Sequence, residues 1–204
     1  LVTNADGTGL SGAVGISAGL SHTVYLKSDG KVWAVGNNSA GQLGDGTTTD
    51  RSNPVQVTNA DGTGLSGVVG VSVGLAHSMY LKSDGSVWAV GMNLFGRLGD
   101  NTTTDRSNPV QVTNADGTGL SGVFRISGGG GHSMYLKSDG TVWAAGYNSS
   151  GQLGDGTTTD RTNPVQVLGA APSHLTNIIA TASYHKHTVY LKSDGTVWAA
   201  GYND

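Results

Sequence analysis

The sequence predicts an all-β chain, a β-propeller of four-stranded antiparallel blades. Three observations predict it. Helix formers are scarce: of 204 residues 34 are Gly, all 14 acidic residues are Asp, and only 6 are Lys. That mix favours strands joined by tight turns. The stretch LKSDG-x-VWA-x-G occurs four times, at Leu26–Gly36, Leu81–Gly91, Leu136–Gly146 and Leu191–Gly201. The spacing is constant, with Trp33, Trp88, Trp143 and Trp198 each 55 residues apart, and likewise His22, His77, His132 and His187. A fixed period of this length marks a stacked or circular array of like units. The units run over 1–57, 58–112, 113–167 and 168–204, the last incomplete.

Each element of the first unit follows from its residues. Val14–Gly19 is a short apolar run ended by Gly and reads as a first strand. His22–Lys27 is a second, with His22, Val24 and Leu26 on one side and Thr23, Tyr25 and Lys27 on the other. Ser28-Asp29-Gly30 supplies the hairpin turn, because Asp-Gly tolerates the positive φ of two-residue loops. Lys31–Val35 is the third strand. Apolar or aromatic residues on both faces of strands two and three suit a sheet sandwiched between neighbours. The connection Gly36–Asn53 is longer than most loops in compact domains. Pro54–Val57 follows as a fourth strand, and a leading Pro suits a sheet edge. Thr58–Gly67 then links to the next unit. Four short antiparallel strands per repeat is the pattern of a propeller blade.

These residues carry a resemblance. The run G-x-H-[ST]-x-x-L-x-[ST]-D-G-x-V-x-x-x-G-x-N-x-x-G-Q-L-G-[DN], followed by a Pro-Val strand, resembles the repeats of the regulator of chromosome condensation family. In the first unit it extends from Leu20-Ser21-His22 through Gly41-Gln42-Leu43-Gly44-Asp45 to Pro54-Val55. The resemblance covers essentially the whole chain. It implies a propeller, usually of seven blades, that acts through protein–protein contacts on one face. It also implies a bacterial, extracellular or cell-surface setting by analogy with secreted bacterial members. Two departures stand out. The usual Trp-Gly pair after the third strand is Val35-Gly36 or Ala145-Gly146, and the Thr58–Gly67 insert lengthens the link between blades. Because the last unit stops after its third strand, the expectation is a larger ring, or copies that associate through open blade edges.

Composition excludes several chemistries. There is no Cys, hence no thiol nucleophile or thiolate metal site. Net charge is −3 without a Lys/Arg run, which argues against a nucleic-acid groove. No run of 18 apolar residues is present to cross a membrane as a helix. Gly15-Ile16-Ser17-Ala18-Gly19 matches the nucleophile-elbow spacing, yet it sits in an expected strand and recurs with the repeat. The four periodic histidines lie in separate blades and read as structural. His174, His185 and His187 form a weaker candidate for zinc or nickel, with no carboxylate flanking them. Asn4–Gly9 looks faintly like a calcium loop but has one carboxylate, Asp6, and reads better as a turn closed by side-chain hydrogen bonds. No phosphate loop or dinucleotide fingerprint is present. The expectation is a chain that is not an enzyme, with no catalytic residue, metal or cofactor.

Differences between units point to a surface. NNSAGQLG of the first unit becomes Met92-Asn93-Leu94-Phe95-Gly96-Arg97-Leu98-Gly99 in the second. Val69-Gly70 becomes Phe124-Arg125 in the third, and Asn37 becomes Met92, Tyr147 and Tyr202. Exposed Met, Phe, Tyr and Arg are favoured at protein interfaces. The expected partner-binding residues are therefore Met92, Leu94, Phe95, Arg97, Phe124, Arg125, Tyr147 and Tyr202, with another protein as the partner. The alternative is a self-assembling structural repeat. Nucleotide exchange on a small GTPase, implied by the resemblance alone, and hydrolysis rank below both.

Overall fold

The computed structural model describes residues 2–169 and 173–203. Blade one contains β1 (Ala13–Ala18), β2 (His22–Lys27), β3 (Val32–Gly36) and β4 (Arg51–Gln56). Blade two contains β5 (Val68–Val73), β6 (His77–Lys82), β7 (Val87–Gly91) and β8 (Arg106–Gln111). Blade three contains β9 (Val123–Gly128), β10 (His132–Lys137), β11 (Val142–Gly146) and β12 (Arg161–Gln166). Blade four contains β13 (Ile178–Tyr184), β14 (His187–Lys192) and β15 (Val197–Gly201). Each sheet is antiparallel and ordered as in the chain, so the expected all-β propeller architecture is present. The first strands β1, β5, β9 and β13 contact one another in series and line the inside. The fourth strands form the outer edges, where Pro54, Pro109 and Pro164 lack an N–H at no cost to the ladder.

The core lies between blades, as two-sided apolar strands require. Val24, Leu26, Val32 and Ala34 of blade one pack against Val68, Val73, Tyr80 and Val90 of blade two. The same arrangement recurs between blades two and three and between three and four. Leu43, Leu98 and Leu153, from the long loops, are fully buried in these layers. Burying one such side chain stabilises by roughly 1.5–3 kcal/mol.

The outer strands begin earlier than Pro alone suggests. β4 starts at Arg51 rather than Pro54, because a bulge in the β3–β4 ladder lets Gly36 pair with Arg51. The Asp-Gly hairpins form at the expected places, but as three-residue turns such as Ser28–Gly30, closed by Lys27 N–H to Lys31 O at 2.9 Å. In them Gly30, at φ 74, and not Asp29 takes the positive φ. The linkers are hydrogen-bonded beside them, for example Val68 N–H to Gly30 O at 3.1 Å. These turns and linkers occupy one end of the blades. The long loops 37–50, 92–105 and 147–160 occupy the other, beside the hairpins joining first to second strands. Met92 N–H donates to Ala76 O and Tyr147 N–H to Gly131 O, both at 2.9 Å. The first end is called the turn face below and the second the loop face.

Candidate partner-binding site

The loop face is built on rigid loops. Asn38, Asn93 and Asn148 are fully buried, and each spans its own loop. Asn93 Nδ2 donates to Asp100 Oδ1 at 2.9 Å, and its Oδ1 accepts the N–H of Leu98 at 2.9 Å. Arg51, Arg106 and Arg161 pair with Asp45, Asp100 and Asp155 at 2.6–2.8 Å. Burial alone would raise these carboxyls. Hydrogen bonds from the following Thr and the Arg outweigh it and hold all three below the usual range.

One loop departs from this plan. In units one and three a buried glutamine caps its own turn: Gln42 Oε1 accepts Ala40 N–H, and Gln152 Oε1 accepts Ser150 N–H, both at 2.9 Å. In unit two the position is Arg97, which has no acceptor. The turn residue Phe95 stands instead at φ 72, within a short 3-10 segment, Leu94–Gly96. A bulky residue in the left-handed region costs of order 1–3 kcal/mol and is a pointer to function. The Phe95 ring lies 4.6 Å from the Tyr147 ring, centroid to centroid and tilted by 40°. Arg97 is only 5% exposed. Its Nε donates to Leu94 O at 3.1 Å and its Nη1 to Gly130 O at 3.3 Å, both neutral carbonyls. Burial lowers the guanidinium pKa, with Asp105 acting in the opposite direction.

Met92, Phe95, Arg97, Gly131, Tyr147 and Lys186 line an open pocket of about 270 Å³ on this face. A second hollow of about 320 Å³ adjoins it where the inner hairpins converge, walled by Leu20, Leu75, Gly130 and Tyr184. The structure thus gathers four of the eight residues singled out from sequence. Leu94 is exposed in the same loop, and Tyr202 sits on the loop face with Lys186 Nζ 5.6 Å from its ring centre. Phe124 and Arg125 do not join them. They begin β9 at the turn face, where Phe124 lines a separate hollow with Lys82 and Asp84 and the Arg125 guanidinium lies 5.7 Å from the Phe124 ring centre. Arg97, expected at the surface, is buried, as Gln42 and Gln152 are at the equivalent positions, and its guanidinium lies against Gly130 and Gly131 of the next blade.

The remaining candidates resolve into structure. Ser17 lies within β1, not on a strand-to-helix turn, and its Oγ accepts the N–H of Val73 in the next blade at 3.1 Å. His22, His77 and His132 bond hydroxyls of the following blade rather than groups within their own. His174 pairs with Leu168 in a linker of the turn face, while His185 occupies a hairpin turn of the loop face, with φ 37, and not a strand. Among the described residues no three metal-ligating side chains converge. Asn4–Gly9 is a turn in which Asp6 Oδ1 accepts the N–H and hydroxyl of Thr8 at 2.9 and 2.6 Å. Sequence reading missed Lys186. Aligning Ser21, Ala76, Gly131 and Lys186 across the units would have exposed it as the one cation at that turn position.

Comparison with known proteins agrees with this architecture. Residues 29–81, 84–136 and 139–191 match the regulator of chromosome condensation (RCC1) repeat. Each match begins at or beside an Asp-Gly turn and ends in the second strand of the next blade, so the family repeat is out of phase with the blade. The ultraviolet-B receptor UVR8 of Arabidopsis thaliana is 30% identical over 91% of this chain and 40% of its own length. The probable E3 ubiquitin-protein ligase HERC3 of Homo sapiens is 35% identical over 91% of this chain and 17% of its own. Among solved structures, Prp20p of Saccharomyces cerevisiae superposes with a TM-score of 0.76 at 22% identity, covering 99% of this chain and 51% of that one. The chain thus spans about half or less of the length of these relatives, all of which are eukaryotic. The matched repeats cover well over half of the sequence, and the chain belongs to the regulator of chromosome condensation (RCC1) repeat family.

Proposed function

We propose that the chain is a non-enzymatic protein-recognition module whose partner docks on the loop face. The observation that carries this is the pocket of Met92, Phe95, Arg97 and Tyr147, formed between the second and third long loops, where the second departs from the pattern of the others and holds Phe95 at a positive φ. An aromatic pair on a rigid rim suits an interface anchor. Relatives support a protein partner: yeast RCC1 (Prp20) has been solved bound to Kap60, and Prp20p has been studied for binding to Gsp1p and histones. The test compares affinity capture by the wild-type chain, by Phe95→Ala/Tyr147→Ala, and by Phe124→Ala/Arg125→Ala, with circular dichroism confirming the fold of each. A protein lost only with the first pair supports the reading. Equal capture by all three, or loss only with the turn-face pair, refutes it.

A second reading, association of copies through the outer blade faces, is supported by Val14 and Ile16 of blade one and Val189 and Val197 of blade four, all exposed. It predicts a solution mass that rises with concentration in light scattering. A constant monomer mass excludes it.

A further inference from the structure

Resting on the loop-face reading, we infer that this pocket recognises a peptide segment presenting an apolar side chain beside a carboxylate, with the Arg97 guanidinium as the group that reads the charge. The inference starts from an unbalanced cation. Arg51, Arg106 and Arg161 each hold an aspartate. Arg97 is more deeply buried than these, yet among the described residues it forms no ion pair. Asp105 acts on it from a distance without an ion-pair contact, its Oδ1 accepting the N–H of Asn93 at 2.6 Å. A buried charge without a counter-ion is costly, and the equivalent positions in units one and three are the neutral Gln42 and Gln152. The fold therefore does not need a cation here.

The unused part of that cation faces the pocket. Nε and Nη1 are spent on the Leu94 and Gly130 carbonyls, and among the described residues no hydrogen bond engages Nη2. Nη2 lies beside Gly131, 3.6 Å from where a side chain there would begin, and Gly131 lines the pocket with Tyr147 and Phe95. Lys186 adds a second cation to the same wall. Its other walls are Met92, Phe95, Tyr147 and Leu75. Charge complementarity asks for an anion at Nη2, and the apolar walls ask for a hydrophobic group attached to it. A guanidinium suits a carboxylate through charge-assisted hydrogen bonds.

The test titrates the ¹⁵N-labelled chain with N-acetylphenylalanine and, separately, with its uncharged analogue N-acetylphenylalaninamide. Amide shifts are followed at Gly130, Gly131 and Tyr147. The carboxylate should bind about tenfold more tightly than the amide, the effect of one charge-assisted hydrogen bond. Arg97→Gln, which installs the residue of units one and three, should bring the two probes to equal affinity. Arg97→Lys should retain part of the preference. Equal binding of the two probes to wild type, a preference that survives Arg97→Gln, or no saturable shift at these amides overturns the inference. Those failures leave the docking reading standing if Phe95→Ala/Tyr147→Ala still loses its captured partner.

Discussion

His77 of blade two and Ser133 of blade three meet across the blade interface, Nε2 to Oγ at 3.0 Å. The Ser133 hydroxyl donates onward to Arg97 O at 2.7 Å, so it accepts from the imidazole, which fixes the Nε2–H tautomer. The buried Nδ1 has no partner, as a neutral ring permits. The relay repeats at the other interfaces. His22 meets Ser78 at 2.9 Å and Ser78 donates to Gln42 O. His132 meets Thr188 at 2.8 Å and Thr188 donates to Gln152 O. Each histidine thus ties a blade to the next blade and, through it, to the backbone of a long loop.

Ser133→Ala should destabilise the chain by about 2–4 kcal/mol. It leaves the His77 Nε2–H and the Arg97 carbonyl without partners in a buried site, and each such group costs about 1–3 kcal/mol. Urea unfolding followed by tryptophan fluorescence reads this as a lower midpoint at unchanged slope. A midpoint equal to wild type would show that the relay adds nothing to stability.

The same histidines set an acid limit. Burial lowers His22 and His132 from 6.5 to about 4, and holds His77 well below its usual value, with added repulsion from Arg97 and the neighbouring histidines. Folded-state values lie below unfolded ones, so the unfolded chain takes up protons first as pH falls. The histidine contribution is complete above about pH 6.5 and declines toward pH 4, by roughly 3 kcal/mol per ring over the full window. Urea midpoints should be flat from pH 8 to 7 and drop steeply between 6.5 and 4. A profile level down to pH 4 would falsify the neutral-ring assignment.

Much of this was legible in the sequence, for a physical reason. Period, Asp-Gly turns and edge prolines are local signals, and each was repeated often enough to read without tertiary context. The burial of Arg97 was not legible, because it depends on what faces it. The loop residue turns inward and reaches the Gly130 carbonyl of the neighbouring blade, as Gln42 and Gln152 also turn inward at the equivalent positions. Phe124 was grouped with Phe95 by residue type, whereas strand direction decides the face. Phe124 starts β9 at the turn end, and Phe95 follows β7 at the loop end. The partner of each histidine was hidden for the same reason, since it lies 56 residues away.

Gly74→Ala should cost about 1–3 kcal/mol or more by overpacking. A Cβ there would meet the His77 ring and lie 2.5 Å from Gly129 O of the next blade. Gly70→Ala, on the same sheet, meets only Leu81 at ordinary contact distance and should be tolerated within about 1 kcal/mol. Blade four carries Tyr184 at the equivalent position, where among the described residues no following blade covers the hairpin, and there the His187 ring is exposed, 6.4 Å from the tyrosine ring. Thermal unfolding of the two variants distinguishes a tight blade contact from general intolerance of alanine. Equal losses would point to intolerance.

Arg97→Gln should raise stability by about 1–2 kcal/mol while weakening recognition on the loop face. The substitution removes a buried, unpaired cation. It also restores the acceptor that holds the turn N–H in units one and three, which should let Phe95 leave its positive φ. Two bonds to the Leu94 and Gly130 carbonyls are lost in exchange, the second in a buried setting, and the expected gain is what remains after that loss. The ³J(HN–Hα) coupling of residue 95 together with the melting temperature reads both changes. A rise in melting temperature with a coupling characteristic of negative φ would show that Arg97 is maintained at the expense of stability, as a recognition residue is. A fall in melting temperature would instead assign Arg97 to the scaffold, bridging the Leu94 turn to the Gly130 hairpin of the next blade.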